Sequence, residues 1–133
     1  MLGIRLQPGV ERVLCLGAHS DDLEIGCGGT LLQLTEGERP IEVTWIVFSG
    51  DGRREREARA SAEALLAGAK SADIRTERFR DGFFPPQAAA IKEYFEALKP
   101  QVAPDVIFTH YRHDLHQDHR LISELTWNTF RDH

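Results

Sequence analysis

The chain has 133 residues, 41% hydrophobic and 28% charged, enough for one domain with a real core and too apolar for a disordered segment. A formal net charge of −5 excludes the overall basic field that draws proteins to nucleic acid or anionic lipid. No apolar run approaches the ~20 residues that cross a bilayer, and Met1 to Gly9 lacks the pattern of a signal peptide. Cys15 and Cys27 lack the Cys-x-x-Cys spacing of a zinc clip. Both read as small core residues of a protein expected in a reducing cytoplasm.

In chain order, Val13 to Ala18 is a short apolar run ending in small residues, the pattern of a strand buried on both faces. The polar stretch His19-Ser20-Asp21-Asp22 follows, then a glycine-rich turn or helix start, with Leu31, Leu32 and Leu34 at helical spacing. Ile41 to Phe48 predicts a second strand, closed by the turn signal Ser49-Gly50-Asp51-Gly52. Residues 55–67 are alanine-rich among charges and predict a helix stopped near Gly68. Arg53-Arg54-Glu55-Arg56 is mixed in sign and reads as its start.

Ile74 to Phe79 predicts a short strand, Asp81 to Pro86 a loop, and Ala88 to Leu98 an amphipathic helix with Ile91, Phe95 and Leu98 on one stripe. Val106 to Thr109 predicts a third apolar strand, followed by the polar run His110 to His119 and a last helix from near Arg120. Trp127 to His133 reads as helix in progress without a glycine or proline stop. The expectation is therefore a single domain over 1–133 that lacks the C-terminal part of a complete fold.

Strands alternating with helices imply βαβ units, hence an α/β fold with a mostly parallel sheet covered on both faces. Ligands of such sheets bind beyond the carboxyl ends of the strands. Both polar clusters directly follow predicted strands, so they are expected to meet at one sheet edge.

Two histidines and a carboxylate can hold zinc and leave a position open for water. His19 and Asp22 can grip one ion from a single loop, and His119 can join from the second. Asp21 is then placed to take a proton from the attacking water. His116, three residues before His119, can stabilise an oxyanion and protonate a leaving amine. Asp118 can hold the His116 imidazole in one tautomer. The plainer reading of Asp21-Asp22 is a helix N-cap. Against it stands the density of the second cluster, which holds four of the six histidines together with Asp114 and Asp118. His110 and His113 read as pocket lining, because three protein ligands already complete a catalytic set. Trp45 reads as core, while Phe83 and Phe84 fit either core or an apolar wall.

The stretch Ala18-His19-Ser20-Asp21-Asp22-Leu23-Glu24-Ile25-Gly26-Cys27-Gly28-Gly29-Thr30 resembles the Ala-His-Pro-Asp-Asp-Glu…Gly-Cys-Gly-Gly-Thr signature of the PIG-L/LmbE-like deacetylases, and His116-Gln117-Asp118-His119 resembles their His-Pro-Asp-His motif. The resemblance implies a Rossmann-like three-layer sandwich with its metal site at the carboxyl ends of the strands. It implies zinc-dependent removal of an acetyl group from an N-acetylglucosamine-type sugar or its conjugate. By the same resemblance His19, Asp22 and His119 match the zinc ligands, Asp21 the general base, and His116 with Asp118 the transition-state pair. Arg54, or Arg56 if aligned from the other end of the helix, matches a substrate-binding arginine; Arg54 is preferred. Ser20 and Gln117 replace the usual prolines, and Leu23 the usual glutamate.

The metal is expected to be Zn2+, although His and carboxylate ligands also suit Fe2+. Expected partners are a small amino-sugar substrate and no nucleic acid; homo-oligomerisation stays open. A metal amidase acting on a non-sugar acyl amine and a non-catalytic metal-binding domain are the rival readings. Gly26, Gly28 and Gly29 do not form Gly-x-Gly-x-x-Gly, which argues against a dinucleotide enzyme.

Overall fold

The computed structural model describes residues 9–132. Most of the N-terminal stretch tested for a signal peptide, and His133, lie outside them. Four strands, β1 (Arg12–Gly17), β2 (Glu42–Val47), β3 (Ser71–Thr76) and β4 (Val106–Phe108), alternate with four helices, α1 (Asp22–Glu36), α2 (Gly52–Leu65), α3 (Ala88–Leu98) and α4 (Gln117–Phe130). The sheet runs in the order β3-β2-β1-β4, with every pairing between these strands parallel. This is the α/β fold expected from the alternation of elements.

The pleat of β1 sorts its side chains into two cores. Leu14 and Leu16 join Ile91, Phe95 and Leu98 of α3 and Ile122 and Leu125 of α4. Val13 and Cys15 join Leu23 and Leu31 of α1 and Ala62 of α2 on the other face. The result is three layers, helices–sheet–helices. The stripe Ile91, Phe95 and Leu98 is the buried face of α3, and each such side chain contributes about 1.5–3 kcal/mol on burial. Trp45 is buried as expected. Phe83 and Phe84 separate: Phe84 is core, whereas Phe83 is exposed beneath the Arg80 guanidinium, 3.7 Å from the ring centroid.

Boundaries differ from expectation at β3, which spans Ser71–Thr76 where the sequence predicts Ile74 to Phe79, and at two helix starts. α1 begins at Asp22 and α4 at Gln117, so the polar motifs open these helices rather than preceding them as loops. α4 closes at Phe130, with Arg131 and Asp132 in a turn, where the sequence reads as helix in progress. At the end of β1, a Cβ on Gly17 would lie 2.8 Å from Leu23 Cγ, so the missing side chain lets α1 pack close to the strand end.

The chain runs outward from β1 to β2 to β3, then returns to place β4 on the other side of β1. The carboxyl ends of β1 and β4 therefore flank the point where strand order reverses, the usual ligand crevice of such sheets. His19 leaves β1 there, and His110 leaves β4.

Candidate metal centre

Three side chains converge at this switch point. His19 Nδ1 lies 3.4 Å from Asp22 Oδ2, His119 Nε2 lies 3.1 Å from the same oxygen, and the two nitrogens are 3.2 Å apart. A tetrahedral zinc site with bonds of about 2.0–2.1 Å has donor–donor edges of about 3.3 Å. The three atoms already span one face of such a tetrahedron, so the donor set fits a divalent ion.

Each ligand is aimed by a neighbour. His19 Nε2 hydrogen-bonds Asp118 Oδ2 at 2.9 Å, which leaves Nδ1 facing Asp22 and His119. Asp118 is fully buried, and its carboxylate also accepts from Gly82 N at 2.7 Å and Phe84 N at 3.0 Å. Asp22 Oδ2 accepts from His19 N at 2.8 Å, closing the first turn of α1. Asp114 Oδ2 lies 3.2 Å from His119 Nδ1. A carboxylate behind a ligating imidazole is the usual support of a metal site, and here two of the three ligands have one.

This geometry corrects one expectation. The Asp118 carboxylate is bonded to His19, not to His116. His116 instead caps α4, its Nδ1 accepting from Asp118 N at 3.1 Å. Its proton is thereby assigned to Nε2. The ring stacks on His119, with centroids 4.7 Å apart, and meets His19 edge-on. Asp118 lies at the start of α4, facing the 82–84 loop that closes over it, a contact invisible in local sequence.

The electrostatics are those of a site with excess acceptors. Burial alone pushes the His19 imidazole down, but hydrogen bonds to Asp22 and Asp118 and the charges of Asp81 and Asp22 outweigh it and lift it to about 9. Burial works to raise Asp22, yet His19 together with the charges of His119 and His110 holds its carboxyl below the ordinary range. Burial, then the neighbouring His119 charge, drives His110 down to about 4. His110 Nε2 accepts Ala18 N at 2.9 Å, which occupies the lone pair a ligand would need.

Asp21 sits exposed at the N-cap position of α1, as the capping reading places it, but its carboxylate makes no capping hydrogen bond. It lines a cavity of about 490 Å³ with His19, Glu24, Arg54 and Asp81. Arg54 also borders the neighbouring cavity of about 470 Å³ beside His19, while Arg56 lines neither. Leu23, where the signature carries glutamate, is buried in the core; Glu24 beside it is pushed up by burial and by Asp21 and Asp22. His113 is exposed, its ring edge-on to Tyr111.

Sequence reasoning missed Asp81, whose Oδ1 lies 3.2 Å from His19 Nε2. Its one signal was position just beyond β3, on the same sheet edge as the other acidic groups. An Asp-Gly pair in a loop reads first as a turn.

An imidazole–imidazole–carboxylate triad at the switch point of a parallel sheet defines an α/β protein with a candidate metal centre. Residues 14–130 match the PIG-L family, described as GlcNAc-PI de-N-acetylase, and the chain belongs to that family. Among solved structures it is similar to N,N'-diacetylchitobiose deacetylase from Pyrococcus horikoshii, at 26% identity and TM-score 0.69, covering 91% of this chain and 49% of that one. The A40926 pseudoaglycone deacetylase Dbv21 shares the fold at 21% identity and TM-score 0.69, over 91% of this chain and 59% of that one. So does the 4-carboxy-2-hydroxymuconate hydratase GalB from Pseudomonas putida, at 20% identity and TM-score 0.67, over 90% and 55%. The chain thus spans about half the length of these proteins. Among the described residues no helix is long and apolar enough to cross a membrane.

Proposed function

We propose that this chain carries the metal-binding and proton-transfer part of a zinc-dependent deacetylase acting on an N-acetylglucosamine-type sugar or its conjugate. One observation carries the reading: His19 Nδ1, Asp22 Oδ2 and His119 Nε2 stand 3.1–3.4 Å apart, with Asp118 and Asp114 behind the two imidazoles. Zn2+, or another divalent ion such as Fe2+, would supply a Lewis acid that acidifies water and polarises the acetamide carbonyl.

The rest falls to side chains. Asp21, exposed at the cavity wall beside His19, accepts the proton of the attacking water. His116 holds its proton on Nε2, because Nδ1 is occupied by Asp118 N. That N–H donates to the developing oxyanion, and the proton that Asp21 takes from the water passes on to the departing amine. Arg54 binds the sugar or its conjugate from the rim. The fold alone does not choose this chemistry, since a hydratase shares it. The sugar and the acetyl group come from family membership and from the deacetylase among its similar structures.

Acetate release from N-acetylglucosamine conjugates, set beside non-sugar acetamides, tests the substrate class; release from the non-sugar amides alone would leave a general metal amidase. For Asp21→Asn we expect retained zinc and a fall in turnover of about 10²–10⁴-fold. Unchanged turnover removes Asp21 as the base, and zinc binding without turnover on any substrate leaves a non-catalytic domain.

A further inference from the structure

We infer that His110, which the mechanism above does not use, is a positioning residue that holds the ligands His19 and His119 in place and is not itself a fourth ligand. The inference rests on the reading of the site as a metal centre. Its side chain is only 11% exposed. It touches all three elements that supply ligands.

His110 leaves the end of β4 and accepts the backbone N–H of Ala18 at 2.9 Å, one residue before His19. This bond joins the ends of β1 and β4 beyond their last ladder pair, Cys15 with Phe108. Its ring lies flat on His119, with centroids 3.9 Å apart and planes 10° from parallel. The His119 imidazole, which comes from α4, thus rests on a plate supplied by β4. His110 Nε2 is also 3.5 Å from Asp22 Oδ2, but with its lone pair directed to Ala18 it has no proton to give that oxygen. The same commitment removes it from ligation.

The bland alternative is a core histidine satisfied by one backbone group, indifferent to the metal. The two roles of the ring separate by substitution. His110→Gln carries an acceptor near the position of Nε2 but no ring. His110→Phe keeps the stacking plate but leaves Ala18 N–H unpaired, and His110→Ala removes both.

Zinc affinity measured by chelator competition on the zinc-loaded protein, with a thermal melt of each metal-free variant, reads the effect. We expect His110→Ala to bind zinc about 10–100-fold more weakly, the range for outer-shell support. His110→Gln should recover more of this than His110→Phe, since an unpaired buried N–H is the larger loss. Cobalt substitution gives an independent readout: the visible d–d bands should keep their energies and intensities in every variant. Wild-type zinc affinity in folded Gln and Phe variants would overturn the positioning role, and shifted cobalt bands would make His110 a ligand. If the unmodified protein bound neither zinc nor cobalt, the metal reading itself would fall, and this inference with it.

Discussion

The two ends of the sheet carry cavities of similar size and opposite character. The amino end opens a cavity of about 410 Å³ lined by Arg12, Glu42, Asp73 and Gln101 among others. The carboxyl end opens two of about 470 and 490 Å³ beside His19. At the amino end charges answer one another in pairs: Arg12 with Glu42 at 3.6 Å, Lys70 with Glu42 at 3.8 Å, Arg75 with Asp73 at 2.8 Å. Asp105 closes the same end by accepting Glu11 N and Arg12 N. Among the described residues, no buried polar side-chain atom of this lining is without a partner. At the carboxyl end, carboxylates and imidazoles crowd one point, and Asp22 Oδ2 alone lies within 3.5 Å of three imidazoles. Cavity volume does not distinguish the two ends; the convergence of possible metal-ligand atoms does.

Removing a donor atom breaks the contrast most sharply. His119→Ala or Asp22→Asn should weaken zinc binding by more than the roughly 10–100-fold that an outer hydrogen bond is worth. Competition with a chromophoric chelator would show it. Wild-type affinity in both variants would mean that the converging atoms are an ion-pair network and nothing more.

Asp118 tests the layer behind the ligands. Asp118→Ala removes the acceptor of His19 Nε2, Gly82 N and Phe84 N together. Each buried N–H left unpaired costs about 1–3 kcal/mol, so a lowered melting temperature is expected even without metal, with a further 10–100-fold loss of zinc affinity. If stability fell while zinc affinity held, Asp118 would belong to the loop closure and not to the metal site.

These predictions separate what the sequence made legible from what it hid. The parallel sheet, its buried strands and both polar motifs were readable because each is a local pattern: an apolar run, then a ligand-bearing turn. Convergence of His19 with His119 followed from topology alone. The support was not readable. Asp118 turns to His19 because the 82–84 loop folds over the start of α4, and Asp81 reaches the same histidine from beyond β3. Both contacts join segments distant in sequence, and no periodicity marks them. His110 reads from the sequence as pocket lining, and its bond to Ala18 N, across the ends of two strands, has no local signal either.

A pH series sharpens the comparison further. In metal-free protein His19 is lifted from 6.5 to about 9 by its carboxylates. A raised histidine gives stability that is complete below its unfolded value and lost as pH climbs through the folded one. Metal-free protein should therefore lose stability between pH 6.5 and about 9. Zinc binding needs the neutral ring, so affinity should rise over the same window. Thermal melts with and without zinc would display the opposing trends, and parallel curves would contradict the crowding argued for the carboxyl end.

The smallest effect is expected at the amino end. Glu42→Gln removes two pairings at 3.6 and 3.8 Å between half-exposed side chains, and exposed pairs of this kind contribute only about 0–1 kcal/mol because water and salt screen them. Stability should change within that range, more at low ionic strength than at high, while zinc affinity and turnover stay unchanged. The binding centre lies beyond the opposite ends of the same strands, and a few screened charges across the sheet have no route to it through the buried core. A measurable loss of zinc affinity in this variant would show that the two ends are coupled through β1 and β2, and the separation drawn between them would have to be given up.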